Sequence, residues 1–190
     1  MNKGQSKIGL VVLLAVILLG GGYIASTFNR LTALHEAVPA AWAQVENVLQ
    51  RRNDLIPNLV STVKGYAKHE ETIFTEIANA RAAIGGARTL GEKVDANNQM
   101  TTALSRLLVI AENYPNLKAD QSFLRLQDEL AGTENRISVE RLRFNQVVQE
   151  YNTRVKLFPS NIIARALGFA PSETYFKAVE TAKTVPQVNF

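Results

Sequence analysis

Between Lys7 and Arg30 the chain carries no charge for 22 consecutive residues, and Ile8 to Ala25 reads IGLVVLLAVILLGGGYIA. A helix needs about 20 mostly apolar residues to cross the hydrocarbon core of a bilayer. Inside lipid every backbone N–H and C=O must find its partner within the segment, so a span of this length is expected to be helical. Leu10, Val11, Leu13, Leu14, Val16, Ile17, Leu18 and Leu19 supply its apolar surface. Tyr23 falls near one end, where an amphipathic ring favours the membrane interface. No polar residue marks one face, which argues against a helix buried in a protein core. Gly20-Gly21-Gly22 weakens the helix near its exit by about 1 kcal/mol per residue relative to alanine. The competing reading is a cleaved signal peptide, which shares the basic start and apolar middle. The run is long for such a segment, and a cut after Ala25 would put Tyr23 where a small residue is wanted. The expectation is a retained anchor over residues 1–29, making single-pass contact with membrane lipid in the bacterial cytoplasmic membrane.

Lys3 and Lys7 precede the span, and only Arg30 follows it closely. The excess of positive charge before the span favours a cytoplasmic N-terminus. The bulk of the chain is then expected on the periplasmic or extracytoplasmic side. The balance of 21 Lys+Arg against 17 Asp+Glu gives a net charge of only +4. Affinity for nucleic acid rests on neutralising many phosphates, so a nucleic-acid partner is not expected. Cysteine is absent, which excludes disulfides, cysteine-zinc sites and thiol chemistry.

Beyond the anchor, apolar residues recur at alternating spacings of three and four. Trp42, Val45, Leu49, Ile56, Leu59, Val63, Tyr66, Ile73, Ile77, Ala80 and Ile84 follow this rule, with Arg52 and Glu70 in the same series. A second stripe runs through Phe123, Leu126, Leu130, Ile137, Phe144, Val148, Tyr151, Val155 and Phe158, and a shorter one through Val94, Thr101, Leu104, Leu108 and Ala111. No stretch alternates as a strand does. The pattern predicts an all-α protein: a single N-terminal transmembrane helix followed by an antiparallel bundle of long helices over residues 30–170, with a C-terminal tail over 171–190.

Gly85-Gly86 is expected to end the first long helix in a left-handed turn. Ala87 to Gly91 then links to the short helix, and Asn113-Tyr114-Pro115-Asn116 stops that one, since a residue before proline prefers extended backbone. Asp120 is placed to cap the last long helix and Phe158-Pro159-Ser160 to end it. Ser160 or Asn161 caps a short helix through Leu167, stopped by Gly168. Part of the tail, Ser172 to Ala182, is expected to be helical. Pro57 lies inside the first stripe, where it costs about 3 kcal/mol in an unbroken helix. A kink or break is therefore expected near Arg52–Pro57, with the preserved register of the stripe favouring a kink.

Three segments carry a resemblance. They are AWAQVENVLQRRNDLIPNLVSTVKGYAKHE from Ala41 to Glu70, AENYPNLKADQSFLRLQDELAGTENRI from Ala111 to Ile137, and RFNQVVQEYNTRVKLFPSNIIARALGF from Arg143 to Phe169. Together they resemble the LemA family over nearly the whole chain beyond the anchor, with the least of the pattern between Ala82 and Thr102. The resemblance implies a helical bundle behind an N-terminal membrane helix, no agreed enzymatic activity, and an association with membrane organisation.

Little in the residues points to catalysis. A carboxylate-bridged metal site in a bundle needs two Glu-x-x-His pairs, but the only histidines, His35 and His69, follow Thr32 and Tyr66 at that spacing. His69-Glu70-Glu71 would point in directions about 100° apart on a helix, so a solvated surface is the simpler reading. There is no glycine-rich phosphate loop and no nucleophile elbow. The expectation is a non-enzyme with no cofactor and no metal. Arg51, Arg52 and Asp54 form the most notable polar group, with Arg52 on the apolar stripe itself. A buried guanidinium left unpaired costs several kcal/mol, so it needs a partner, and Glu134, Glu140 and Asp128 are the candidates. The simplest reading is a buried ion pair fixing helix register beside Pro57; the functional one is a docking surface for another protein. Asn135, Asn145 and Asn152 lie along the last helix and suit hydrogen bonds between helices. These features suggest a membrane-anchored, non-catalytic scaffold that self-associates into a homo-oligomer, or else a tethered sensing or adaptor module for an unknown protein partner.

Overall fold

The structure is a computed structural model that describes residues 3–176, with side chains from residue 9 onward. Among the described residues it is helical, without strands. Six helices follow in order: α1 (Lys3–Tyr66), α2 (Glu71–Gly86), α3 (Leu90–Ala111), α4 (Pro115–Lys118), α5 (Gln121–Lys156) and α6 (Ser160–Ala166). They form two compact units. Unit 1 contains residues 1–41 and 146–173, and unit 2 contains residues 42–145 and 174–190.

Unit 2 is an up-and-down bundle. The hairpin from α1 to α2 sets Lys64 over the Phe74 ring. On α3, Arg106 reaches back to Glu76 of α2. Further contacts run α3 alongside α1 in the same direction, with Lys93 on Glu46 and Thr101 on Arg52. The return along α5 is antiparallel, with Asp120 beside Tyr66 and Phe144 beside Trp42. Its core joins Ile56, Leu59 and Val63 of α1 to Ile77 of α2, Leu107 of α3, and Phe123 and Leu130 of α5. The stripes read from the sequence are thus mostly the core. Leu107, outside the stripe drawn for α3, is fully buried as well.

The helix is not interrupted at Pro57. It continues to Tyr66, and the chain turns at 67–70 instead. Ile56 and Leu59 on either side of the proline are both buried. Burying such side chains stabilises by about 1.5–3 kcal/mol each, which outweighs the proline's cost of about 3 kcal/mol. The single long stripe through to Ile84 is therefore two helices. Ala67, not Tyr66, takes the buried place at the turn, and the Tyr66 ring is exposed with its hydroxyl donating to Asp120. Glu70 leaves the helical path as the residue preceding α2.

Asp120 caps α5 as its sequence position suggested: its Oδ1 accepts from the N–H groups of Ser122 and Phe123 at 2.8 and 2.9 Å. Those N–H groups, Phe123 first, and the Tyr66 hydroxyl hold its carboxyl below the usual range. Other ends differ from expectation. Gly85 and Gly86 are the last residues of α2 in ordinary helical backbone, and the next residue is simply extended. The only positive φ among the described residues is at Gly168, where +80° reverses the chain after α6. Thr89 opens α3 with a reciprocal capping box to Glu92, earlier than the linker expected through Gly91. At α6 neither Ser160 nor Asn161 caps; the Ser160 hydroxyl donates to the carbonyls of Arg154 and Leu157.

Unit 1 is smaller. Leu31 and Leu34 of α1 pack with Tyr151 and Val155 of α5 and Ala164 of α6, joined by Val38 and Phe169. Phe28 and His35 both set their rings against Phe169. Phe158, assigned by periodicity to the α5 stripe, is 78% exposed because the helix ends at Lys156 and the chain turns away.

Candidate functional site

The polar centre of unit 2 is Arg52. Position 52 falls on the buried face of α1, between Leu49 and Ile56, so packing draws the guanidinium inside to 1% exposure. Three groups from two other helices receive it. Its Nη1 donates to Glu134 Oε2 of α5 at 3.0 Å and to Thr101 Oγ1 of α3 at 2.8 Å. Its Nη2 donates to Asn97 Oδ1 at 3.1 Å and to the Asn97 carbonyl at 3.3 Å. Burial lowers the affinity of the guanidinium for its proton, and the Glu134 carboxylate opposes that shift. Its Nε has no hydrogen-bond partner.

A cleft of about 230 Å³ lies beside this group. Leu104, Leu108, Leu130 and Ala131 make its walls apolar, and Arg52, Thr101 and Glu134 supply its polar side. Such a cleft suits a small ligand with an apolar body and one polar end.

The other residues of the sequence-level group do not converge here. Arg51 and Asp54 are exposed, and Asp54 accepts only from Gln50 one turn back. Pro57 lines a separate groove with Ile56, Val60 and Phe74. Of the three carboxylates weighed as partners, Glu134 is the one that binds Arg52, while Glu140 pairs with Arg143. Glu70 accepts from the Tyr114 hydroxyl. Among the described residues no three His, Asp or Glu side chains gather as a metal site requires.

A second constellation was missed in the sequence. The expected helix from Ser172 to Ala182 is absent over 172–176, and residues 177–182 lie outside the described residues. Side-chain amides occupy this backbone instead. In unit 2, Asn145 donates to the Phe176 carbonyl and accepts from its N–H, both at 2.9 Å. The Phe176 ring stacks on Trp42 at 5.7 Å, meets Phe144 edge-on at 5.6 Å, and lies under the Arg141 guanidinium at 4.9 Å. In unit 1, Asn152 makes the same two-way bond to Ser172, both at 2.7 Å. Asn145 and Asn152 therefore hold the backbone of the C-terminal segment, not another helix, while Asn135 is exposed. Their spacing of seven residues on α5 was the available signal.

A model of the LemA family matches residues 41–190. The chain belongs to the LemA family. The match includes Trp42, Arg52, Glu134 and Asn145 and begins after the apolar run. Magnetosome protein MamQ of Magnetospirillum gryphiswaldense is 25% identical over 216 residues, covering 99% of this chain and 79% of its own length. Magnetosome protein MamQ 2 of Paramagnetospirillum magneticum is 24% identical, covering 96% of this chain and 75% of its own length. Protein LemA of Metamycoplasma hominis is 20% identical, covering 85% and 72%.

Among the described residues of this LemA-family protein, one helix is long and apolar enough to cross a bilayer. Leu10, Val11, Leu13, Leu14, Val16, Ile17, Leu18, Leu19 and Tyr23 are all exposed on it, from 41 to 75%. By length and composition this helix is a candidate membrane span near the N-terminus.

Proposed function

We propose that the protein is a non-catalytic scaffold held in the bacterial cytoplasmic membrane by the first part of α1, which self-associates and helps to organise or remodel that membrane. The observation that carries this reading is the apolar run from Leu10 to Leu19, which stands exposed among the described residues although the same helix supplies Ile56, Leu59 and Val63 to a packed core. An exposed apolar surface of that size on a helix calls for lipid or another protein. Anchoring confines copies to two dimensions, which raises their effective concentration and makes weak lateral contacts count. Membership of the LemA family and the relatives named magnetosome proteins support the membrane-association part of this reading. The excess of positive charge at Lys3 and Lys7, ahead of the span, supports a C-terminal region on the extracytoplasmic side in this reading.

Size measurement in mild detergent, paired with crosslinking in cells, tests self-association; a monomer in both overturns it. Protease added to spheroplasts tests the side: digestion of the C-terminal region supports the extracytoplasmic placement, and full protection reverses it. A second reading, a tethered module that binds a ligand or partner, draws on the cleft beside Arg52. It gains ground if small amphipathic carboxylates raise the thermal midpoint of the wild type but not of Leu104→Trp, which fills the cleft.

A further inference from the structure

We propose that the corner where α5 passes into α6 is a second membrane contact, docking on an anionic bilayer surface beside the point where α1 leaves the lipid. This rests on the reading of the apolar run of α1 as a membrane span. Four large apolar side chains stand exposed within eleven residues of this corner: Leu157 at 55%, Phe158 at 78%, Ile162 at 60%, and Leu167 at 48%. Their exposure follows from the geometry of α6. Its Ser160 and Ala164 face are buried in unit 1, which turns Ile162 and Arg165 outward.

The corner lies level with the end of the span. Leu157 shares an open groove with Ser26 and Arg30, just past Tyr23. Phe169, which follows α6, sets its ring against Phe28 at 6.2 Å. Side chains at this level are within reach of the headgroup region if Tyr23 marks the interface. Charge agrees with that placement. From Tyr151 to Ser172 there is no Asp or Glu, while Arg154, Lys156 and Arg165 are all present and exposed. Outward apolar side chains flanked by cations are the composition of a surface that sits in the interface of an anionic leaflet. A protein partner would also bury the apolar side chains, but it gives no reason for their being level with the membrane exit.

The chain has no cysteine, so single cysteines can be labelled uniquely. F158C, I162C, L14C and V139C are each made in the full chain, labelled with a polarity-sensitive fluorophore and reconstituted in phosphatidylcholine–phosphatidylglycerol vesicles. Nitroxide lipids carry the quencher either at the headgroup or deep in the acyl chain. Val139 is a reference of similar exposure in unit 2, and Leu14 reports the span itself. Quenching of F158C and I162C by the headgroup label should exceed that of V139C several-fold. It should fall when Arg154, Lys156 and Arg165 are changed together to Gln, or when phosphatidylglycerol is omitted. F158C and I162C quenched no more than V139C, with L14C quenched by the deep label, overturns the docking corner and leaves the anchor standing. L14C untouched by the deep label overturns the anchor and the corner with it. Protection of F158C from aqueous thiol reagents in cells, with no quenching in vesicles, assigns the patch to a protein and overturns the lipid contact.

Discussion

In unit 2, Ile56, Leu59, Leu107 and Phe123 are buried in one core, Phe144 is buried beside Trp42, and both terminal nitrogens of the Arg52 guanidinium are hydrogen-bonded to neighbours. Unit 1 buries Leu31, Tyr151, Val155 and Ala164 but leaves Leu157, Phe158, Ile162 and the run from Leu10 to Leu19 exposed. Both units draw on the same two helices, α1 and α5, so helix-forming tendency is not what separates them. The difference lies in the solvent each surface is suited to. Water drives the apolar stripes of unit 2 together and demands a partner for every buried charge. The outward face of unit 1 follows the opposite rule and presents apolar side chains, as a surface meeting lipid does.

The contrast can be broken by substitution. Phe144→Ala should have the largest effect, since it empties a fully buried position beside Trp42; a loss of about 3–5 kcal/mol is expected in chemical denaturation of the detergent-solubilised protein. Glu134→Gln comes next. It removes the carboxylate charge that balances the Arg52 cation while leaving an amide oxygen able to accept, and because Glu134 itself is partly exposed the loss should be about 2–3 kcal/mol, below that of a fully buried pair. Arg52→Met, which removes the charge altogether, should be milder than Glu134→Gln, and the reverse order would show that the carboxylate contributes little.

Asn145→Ala sharpens the comparison at the C-terminal segment. It deletes both bonds to Phe176, with an expected loss of about 1–2 kcal/mol, and the Phe176 amide should exchange with solvent markedly faster because its acceptor is gone. Acid should act through the helix caps. Asp120 and Glu92 have carboxyls held below their usual range by the backbone N–H groups they cap. Their contribution is therefore complete above the unfolded-state values and is lost as pH falls through the lowered ones. The thermal midpoint of the double variant Asp120→Asn, Glu92→Gln should fall less steeply on acidification than that of the wild type. Phe158→Ser should do least, within about 0.5 kcal/mol of the wild type in detergent. A loss comparable with that of Phe144→Ala would show that Phe158 belongs to a core, and the distinction between the units would fail.

Much of the fold was legible because helical periodicity is a local property. Trp42, Leu59, Phe123, Ile137 and Val148 could be assigned to buried faces by spacing alone, and Asp120 to a cap by its position before an apolar run. The Thr89–Glu92 capping box was equally legible as a threonine three residues before a glutamate, and it starts α3 ahead of Gly91. The turn at 67–70 was hard to read, since Ala67 and Tyr66 both fit the stripe and the one glycine nearby, Gly65, lies in the last turn of α1 and not in the reversal itself. At Pro57 the local signal allowed a break that does not occur, since Ile56 and Leu59 on either side are buried and the helix runs on to Tyr66. The Arg52 site was half legible: a charge on an apolar stripe demands a partner, and Glu134 was among the choices, whereas Asn97 and Thr101 gave no sign because nothing local ties them to residue 52.

The order of the residues alone determined that this chain would be helical and that the run from Ile8 to Ala25 would be unsuited to water, because both follow from neighbours a few positions apart. Tertiary structure decided which groups meet the Arg52 guanidinium, that Asn145 and Asn152 would grip extended backbone, and that Phe158 would face outward where its stripe ends. Those outcomes join segments far apart in the chain, 82 residues in the case of Arg52 and Glu134, and their encounter is set by how the helices pack and not by the spacing of any one of them.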